Sequence, residues 1–145
     1  MEHVDITAFL NGVLTENIYM EQPEGFVTNG KKCAPKKSIY GLKQASRAWN
    51  ENIRTVFTEL GLVQSICDPC VFVKREGALV IYICLYVDDI FVFTNWDDEK
   101  QKLYQYLESK YEVKFLGELK NCLGMRVQYD KDAGILNLDQ SEYVS

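Results

Sequence analysis

The segment ALVIYICLYVDDIFVF, residues 78–93, decides the fold, because two apolar runs rich in β-branched and aromatic residues meet there at an adjacent pair of acids, Asp88 and Asp89. Such runs predict strands, Ala78 to Tyr86 buried on both faces and Ile90 to Phe93 as its successor. An ionised carboxylate among apolar neighbours is costly unless it is exposed at a turn, hydrogen-bonded or bound to a cation. The two aspartates therefore mark a tight turn between paired strands.

Working outward, Cys70 to Lys74 predicts a further strand, closed by a turn at Glu76-Gly77. Leu42, Ala45, Trp49, Ile53, Val56, Phe57 and Leu60 recur at steps of three and four after Gly41, and Gly61 supplies a stop, which predicts a helix. A second helix is expected from about Asp97 to Tyr111. Its opening acids Asp97, Asp98 and Glu99 suit a helix N-terminus, and Leu103 and Leu107 turn toward the sheet. Leu123 to Tyr129 and Ile135 to Leu138, flanking Asp130 to Gly134, read as a terminal hairpin.

At the other end, Val4 to Leu10 reads as a short buried strand closed by Asn11-Gly12. Residues 13–35 carry a strand-like piece, Asn17 to Met20, and turn signals at Pro23, Gly25, Asn29-Gly30 and Pro35, so a loop-rich or hairpin excursion is expected. No repeat or low-complexity stretch interrupts this order. It points to an α+β fold in a single domain, with helices packed on one face of an antiparallel sheet. The abrupt start on a strand predicts that an N-terminal portion is absent, and truncation is expected at both ends.

The 145 residues are 47% hydrophobic and 26% charged, with three prolines and nine glycines, which excludes disordered and collagen-like classes. The longest apolar run, Ala78 to Val87, is about half the ~20 residues a membrane helix needs, and no secretory leader is visible. No membrane partner is expected. A net charge of −5 is the wrong sign for a self-sufficient nucleic-acid binder, so any such role must be local or shared with parts lying elsewhere.

Five cysteines, Cys33, Cys67, Cys70, Cys84 and Cys122, are an odd number and read as reduced thiols of an intracellular protein. Cys67 and Cys70 have the spacing of half a zinc site, yet no second pair follows and the one histidine, His3, is distant in sequence. Structural thiols are the favoured reading. A small protein-interaction module holding zinc at Cys67 and Cys70, with Trp96 and the tyrosines as its contact surface, is the alternative from another class.

Adjacent acids at a turn make a hard oxygen site suited to Mg²⁺. Two such ions about 3.5–4 Å apart would stabilise the attacking and leaving oxygens of a phosphoryl transfer. An ordinary hairpin turn explains the same pair. A third acid, Asp5, completes a carboxylate set if the first strand pairs beside the Asp88-Asp89 turn, and is otherwise a solvent-facing aspartate at a strand entry.

Five collinear blocks carry a family resemblance. They are Tyr86-Val87-Asp88-Asp89, Asp5 to Gly12, Ile18 to Phe26, Ser38-Ile39-Tyr40-Gly41-Leu42-Lys43-Gln44-Ala45, and Leu116-Gly117-Glu118 followed by Leu123-Gly124-Met125. Together they resemble the Ty1/copia-type retrotransposon reverse transcriptase, an RNA-directed DNA polymerase. Tyr86-Val87-Asp88-Asp89 alone is a weak pattern, but the blocks in order span nearly the whole chain.

The resemblance implies a nucleotidyltransferase palm with part of the fingers: residues 1–12 as a palm strand, 13–40 as a fingers excursion, and 41–145 as palm with a primer-grip-like hairpin. It implies that Asp5, Asp88 and Asp89 hold two Mg²⁺ ions, with Mn²⁺ as a substitute. Partners would be a template, a primer, deoxynucleoside triphosphates, and the remaining fingers, thumb and RNase H parts of a polyprotein. Phe9 would lie under the deoxyribose and exclude a 2′-hydroxyl; a core Phe on a strand is the plainer reading. Tyr40 and Gly41 would approach the incoming nucleotide, though Gly41 equally starts a helix. Tyr86, Leu123, Gly124 and Met125 would meet primer and template. Lys43, Arg47 and Lys114 read more simply as surface charges than as phosphate or general-acid contacts.

Two departures from the pattern bear on competence. The family has four residues from its first aspartate to the alanine of that block, whereas Asp5 precedes Ala8 by three and Val4 stands at the family position. A one-residue slip reverses a strand side chain, so Asp5 is expected to face away unless a bulge re-aims it. Ser46 stands where the family block has proline, which alters local rigidity. As an isolated piece the chain is expected to be inactive, and a catalytically dead remnant is the rival within this reading.

Overall fold

A computed structural model of the chain describes residues 1–14, 16–22, 24–27 and 32–144, without the side chains of Glu142 and Val144. In chain order the strands are β1 (Glu2–Ile6), β2 (Val63–Gln64), β3 (Val71–Glu76), β4 (Leu79–Tyr86), β5 (Asp89–Thr94), β6 (Val113–Glu118), β7 (Asn121–Cys122), β8 (Met125–Asp130) and β9 (Ile135–Asp139). The helices are α1 (Ala45–Glu59), α2 (Asp97–Lys110) and a short α3 (Ser141–Val144). Six strands form one sheet in the order β2-β3-β4-β5-β1-β6, every neighbouring pair antiparallel, and β7-β8-β9 form a second. This is the expected α+β class.

Both long helices cover one face of the larger sheet. The α1 stripe of Trp49, Ile53, Val56 and Phe57 and the α2 residues Leu103 and Leu107 pack on Val4, Ile6, Phe72, Ile81, Ile83, Leu85, Ile90 and Val92. Part of the opposite face is covered by the smaller sheet, through Phe91 against Leu119 and Val127. Gly61 ends α1 with φ +78, where the Leu62 amide returns to the Phe57 carbonyl at 2.9 Å. Among the described residues no helix is long and apolar enough to cross a membrane.

Three expectations need correction. β4 is not buried on both faces: Ile81, Ile83 and Leu85 are buried while Tyr82 and Tyr86 are exposed. Helices lie on one side of it only, so aromatic residues with polar tips occupy the other. The first strand ends at Ile6 instead of running to Leu10, because the Ile6 amide makes its last bond to the Asp88 carbonyl and Phe9–Asn11 coil into a 3-10 turn. Val113–Glu118, which shows no strand pattern in the sequence, forms β6 and closes the sheet edge beside β1. The excursion is held by two isolated bridges, Val13 with Lys37 and Met20 with Cys33. Its turn signals at Pro23 and Asn29-Gly30 lie outside the described residues.

Gly12 is buried between that 3-10 turn and α1. A Cβ there would come within 2.6 Å of the Ser38 hydroxyl oxygen and 3.2 Å of the Trp49 backbone nitrogen. Ser38 is itself fully buried and its hydroxyl donates to the Phe9 carbonyl. Gly12→Ala is therefore expected to lower unfolding free energy by about 1–3 kcal/mol, measured by urea denaturation.

Polar contacts tie the helices to the sheet edges. Glu99, buried at the start of α2, accepts from Lys74 of β3 and from Lys102, while the Lys74 ammonium also caps α1 at the Leu60 carbonyl, 2.9 Å away. Burial alone would raise the Glu99 pKa, but the hydrogen bonds from Lys74 and Lys102 outweigh it and hold the carboxyl below its ordinary 4.5. A depressed carboxylate stabilises the fold fully above its unfolded value, and the contribution is lost as pH falls through the folded value. Lys74→Met is expected to cost about 2 kcal/mol at neutral pH and to flatten the loss of stability below pH 4.5, read from denaturation midpoints across an acid series.

Candidate functional site

The Asp88-Asp89 turn joins β4 to β5 with only Val87 and Asp88 between the paired Tyr86 and Asp89. Val87 has φ +54 and Asp88 does not enter the positive region, the pattern of a type II′ hairpin turn. A β-branched residue is strained there, by about 1–2 kcal/mol. The Val87 carbonyl is pinned by the Trp49 indole Nε1, 2.9 Å away, so the α1 core residue fixes the turn that carries the acids.

β1 pairs beside that turn in regular register, Val4 with Ile90 and Asp5 with Asp89. Directly opposed residues of antiparallel strands project to the same side. Val4 and Ile6 are buried in the helix-side core, so Asp5 shares the other face with Asp89. The register shift between β1 and β6 places its extra residue, Leu116, in β6, and β1 itself carries no bulge. The ladder ends at Ile6, whose amide donates to the Asp88 carbonyl, so Asp5 is not turned away from Asp89. Lys114 stands opposite Asp5 on the β6 side.

The carboxylate of Asp88 is held by the chain itself. Its Oδ1 accepts the Ala8 amide at 2.8 Å, and the Tyr40 hydroxyl lies 2.7 and 2.6 Å from Oδ1 and Oδ2. That hydrogen bond, with smaller contributions from burial and from the charges of Asp88 and Asp5, pushes the Tyr40 phenol up to about 12, so Tyr40 is a donor at neutral pH. Its ring rests on Phe9, with centroids 4.8 Å apart. Gly41 follows with φ +92, a conformation that favours glycine. Asp89 Oδ1 lies 2.6 Å from His3 Nε2.

Three carboxylates at one end of a sheet are hard oxygen donors of the kind Mg²⁺ takes, and in kind the residues fit divalent cations. The Asp88 carboxylate, however, is turned to Tyr40 and Ala8, and that of Asp89 to His3. Among the described residues no group of three or more His, Cys, Asp or Glu is gathered closely enough to hold an ion. Cys67 and Cys70 sit in the segment before β3 as free thiols, their loop shaped by amide bonds to Ser65 and Asp68.

Behind the turn, on the sheet face away from the helices, an apolar cavity of about 380 Å³ is lined by Cys84, Tyr86, Phe91, Phe93, Cys122 and Leu123 among others. Leu123 and Gly124 form the β7–β8 turn, with φ +51 and +79, and Met125 opens β8. Tyr86 and Leu123 thus border one surface. Lys43 precedes α1, and Arg47 on its first turn pairs with Glu51 at 2.9 Å. Two residues that bear on the acids escaped the sequence reading, His3 and Trp49. The signal for His3 was available, since it lies two residues before Asp5 and a strand alternates with period two.

An antiparallel sheet whose acid-bearing hairpin pairs with the first strand is the frame of this site. The chain belongs to the reverse transcriptase (RNA-dependent DNA polymerase) family, whose profile matches residues 1–145. It is 39% identical over 150 residues to the retrovirus-related Pol polyprotein from transposon TNT 1-94 of Nicotiana tabacum, covering 99% of this chain and 11% of that one. The match to the Pol polyprotein from transposon RE2 of Arabidopsis thaliana is 38% over 139 residues, 94% of this chain and 9% of the relative. A putative transposon Ty5-1 protein of Saccharomyces cerevisiae is 30% identical over 142 residues, with 96% and 46% coverage. These relatives make the chain a Ty1/copia-type reverse transcriptase segment. It spans 46% or less of the length of each of these three relatives. No solved structure matches it.

Proposed function

We propose that this segment is the palm of an RNA-directed DNA polymerase that extends a primer with deoxynucleotides, with residues 1–12 and 41–145 as palm and 13–40 as part of the fingers. The observation that carries this reading is the register that sets Asp5 opposite Asp89, beside the turn bearing Asp88. Asp5, Asp88 and Asp89 are the residues that would hold two Mg²⁺ ions. Bound there, divalent cations would lower the pKa of the primer 3′-hydroxyl and neutralise the triphosphate.

The remaining roles belong to the chain. Phe9 would form the floor under the sugar, and Tyr40 with Gly41 the wall beside the incoming nucleotide. Tyr86 and Leu123 line the apolar surface where primer and template would rest, and Gly124 and Met125 follow Leu123 in the turn and at the start of β8 as further primer contacts. The chain's negative charge requires the rest of a polyprotein to supply the basic contacts to nucleic acid.

The test places residues 1–145 between the fingers, thumb and RNase H parts of a Ty1/copia-type polymerase and measures primer extension. Asp5→Asn is expected to lower extension on the order of a hundredfold or more, as loss of a charged group in phosphoryl transfer does. Equal extension by Asp5→Asn and the unaltered chain would remove Asp5 from the site. No extension by either would leave the dead-remnant reading in possession.

A further inference from the structure

The geometry points to Tyr40 as a latch on Asp88: its hydroxyl bridges the two carboxylate oxygens, the side a divalent cation would take, so hydroxyl and cation compete for Asp88. This rests on the reading of Asp88 as a metal ligand. The same hydroxyl is within hydrogen-bond distance of both Asp88 oxygens, 2.7 and 2.6 Å, while the Ala8 amide holds Oδ1 at 2.8 Å. One carboxylate is thus engaged by two donors, a backbone amide and a phenol.

Tyr40 can let go without disturbing the core. It is 52% exposed, and its ring rests on Phe9, which is partly buried against the main core. A Cβ built on Gly41, the next residue, would meet nothing within 4 Å, so the backbone beside it has room to turn. The Ala8 amide, by contrast, belongs to a fully buried residue and stays in place. Release of the hydroxyl alone frees Oδ2 completely and leaves Oδ1 oriented by the amide. Because the ring also covers Phe9, the movement that opens Asp88 to an ion uncovers the surface proposed for the sugar. Tyr40 is therefore a positioning residue that closes the site on both counts.

The experiment is a Mn²⁺ titration of the full chain at neutral pH, free ion being read by electron paramagnetic resonance, which needs no polymerase activity. Tyr40→Phe keeps the ring on Phe9 and removes only the hydroxyl. It is expected to bind Mn²⁺ about tenfold more tightly than the unaltered chain, the scale of one hydrogen bond to a charged group. Adding Asp88→Asn should abolish that gain. Tyr82→Phe, which removes a hydroxyl bonded to Arg75 elsewhere on the sheet, should leave Mn²⁺ affinity unchanged. Equal or weaker binding by Tyr40→Phe, with binding still lost in Asp88→Asn, overturns the latch and leaves the metal site standing. Binding that ignores Asp88 in every variant overturns the metal reading and the latch with it. Thermal midpoints of all variants report that each is folded.

Discussion

Asp88→Asn is expected to reduce primer extension by on the order of a thousandfold or more in a polymerase containing this segment, while shifting the denaturation midpoint very little. The first half follows from charge: a carboxylate that neutralises cations and phosphates in phosphoryl transfer supplies several kcal/mol that an amide does not, and each 1.36 kcal/mol is a factor of ten in rate. The second half follows from the local contacts. The Asn oxygen still accepts the Ala8 amide that Asp88 Oδ1 accepts at 2.8 Å, and the half-exposed Tyr40 hydroxyl can rotate or turn to water. A large fall in activity with an unmoved midpoint separates a chemical role from a structural one. Single-turnover extension and urea denaturation of the same variant check both halves.

Asp89→Asn makes a useful contrast, because its partner differs. Asp89 meets His3 across the β1–β5 pair, so the substitution disturbs the strand that carries Asp5 as well as the charge. Position 88 therefore isolates the chemistry more cleanly than position 89.

The two helices were legible because burial left a period in the residues: Ala45, Trp49, Ile53, Val56 and Phe57 are the buried positions of α1, as their spacing requires. The acid-bearing hairpin was legible from charge placed between apolar runs. The second face of β4 was not, since Tyr82, Cys84 and Tyr86 read as apolar in a string and only a helix-free face tells that their surfaces are partly open. β6 was hidden for a related reason. Val113–Glu118 has its partner at the far end of the chain, and the Leu116 bulge breaks the alternation that would have revealed a strand. At the site, the aspartates were visible but their partners were not. Tyr40 and Ala8 reach Asp88 through long-range pairing that no local pattern encodes, whereas strand alternation alone puts His3 on the face of Asp5. The same holds for the orientation of Asp5. Counting from Ala8 implies reversal, whereas the alternation of buried Val4 and Ile6 keeps Asp5 on the face of Asp89.

Trp49→Ala is expected to destabilise the chain by about 3–5 kcal/mol, the range for removing a buried aromatic side chain, and this is a large share of a small domain's stability. Trp49 is 2% exposed, packs edge-on against Tyr111 with centroids 5.5 Å apart, and lies in the cluster joining α1 to the sheet. Its indole also holds the Val87 carbonyl, and Trp49→Phe separates the two contributions. Phe keeps most of the apolar burial but leaves that carbonyl without its donor, for a loss of about 1–2 kcal/mol. The turn is then held less firmly at a residue whose φ of +54 is strained. Val87→Gly relieves that strain without the indole, so the double variant Trp49→Phe with Val87→Gly should recover part of the loss. If the turn's anchoring matters, the two substitutions are non-additive in a double-mutant cycle of urea unfolding energies; strict additivity would show that the indole acts through packing alone.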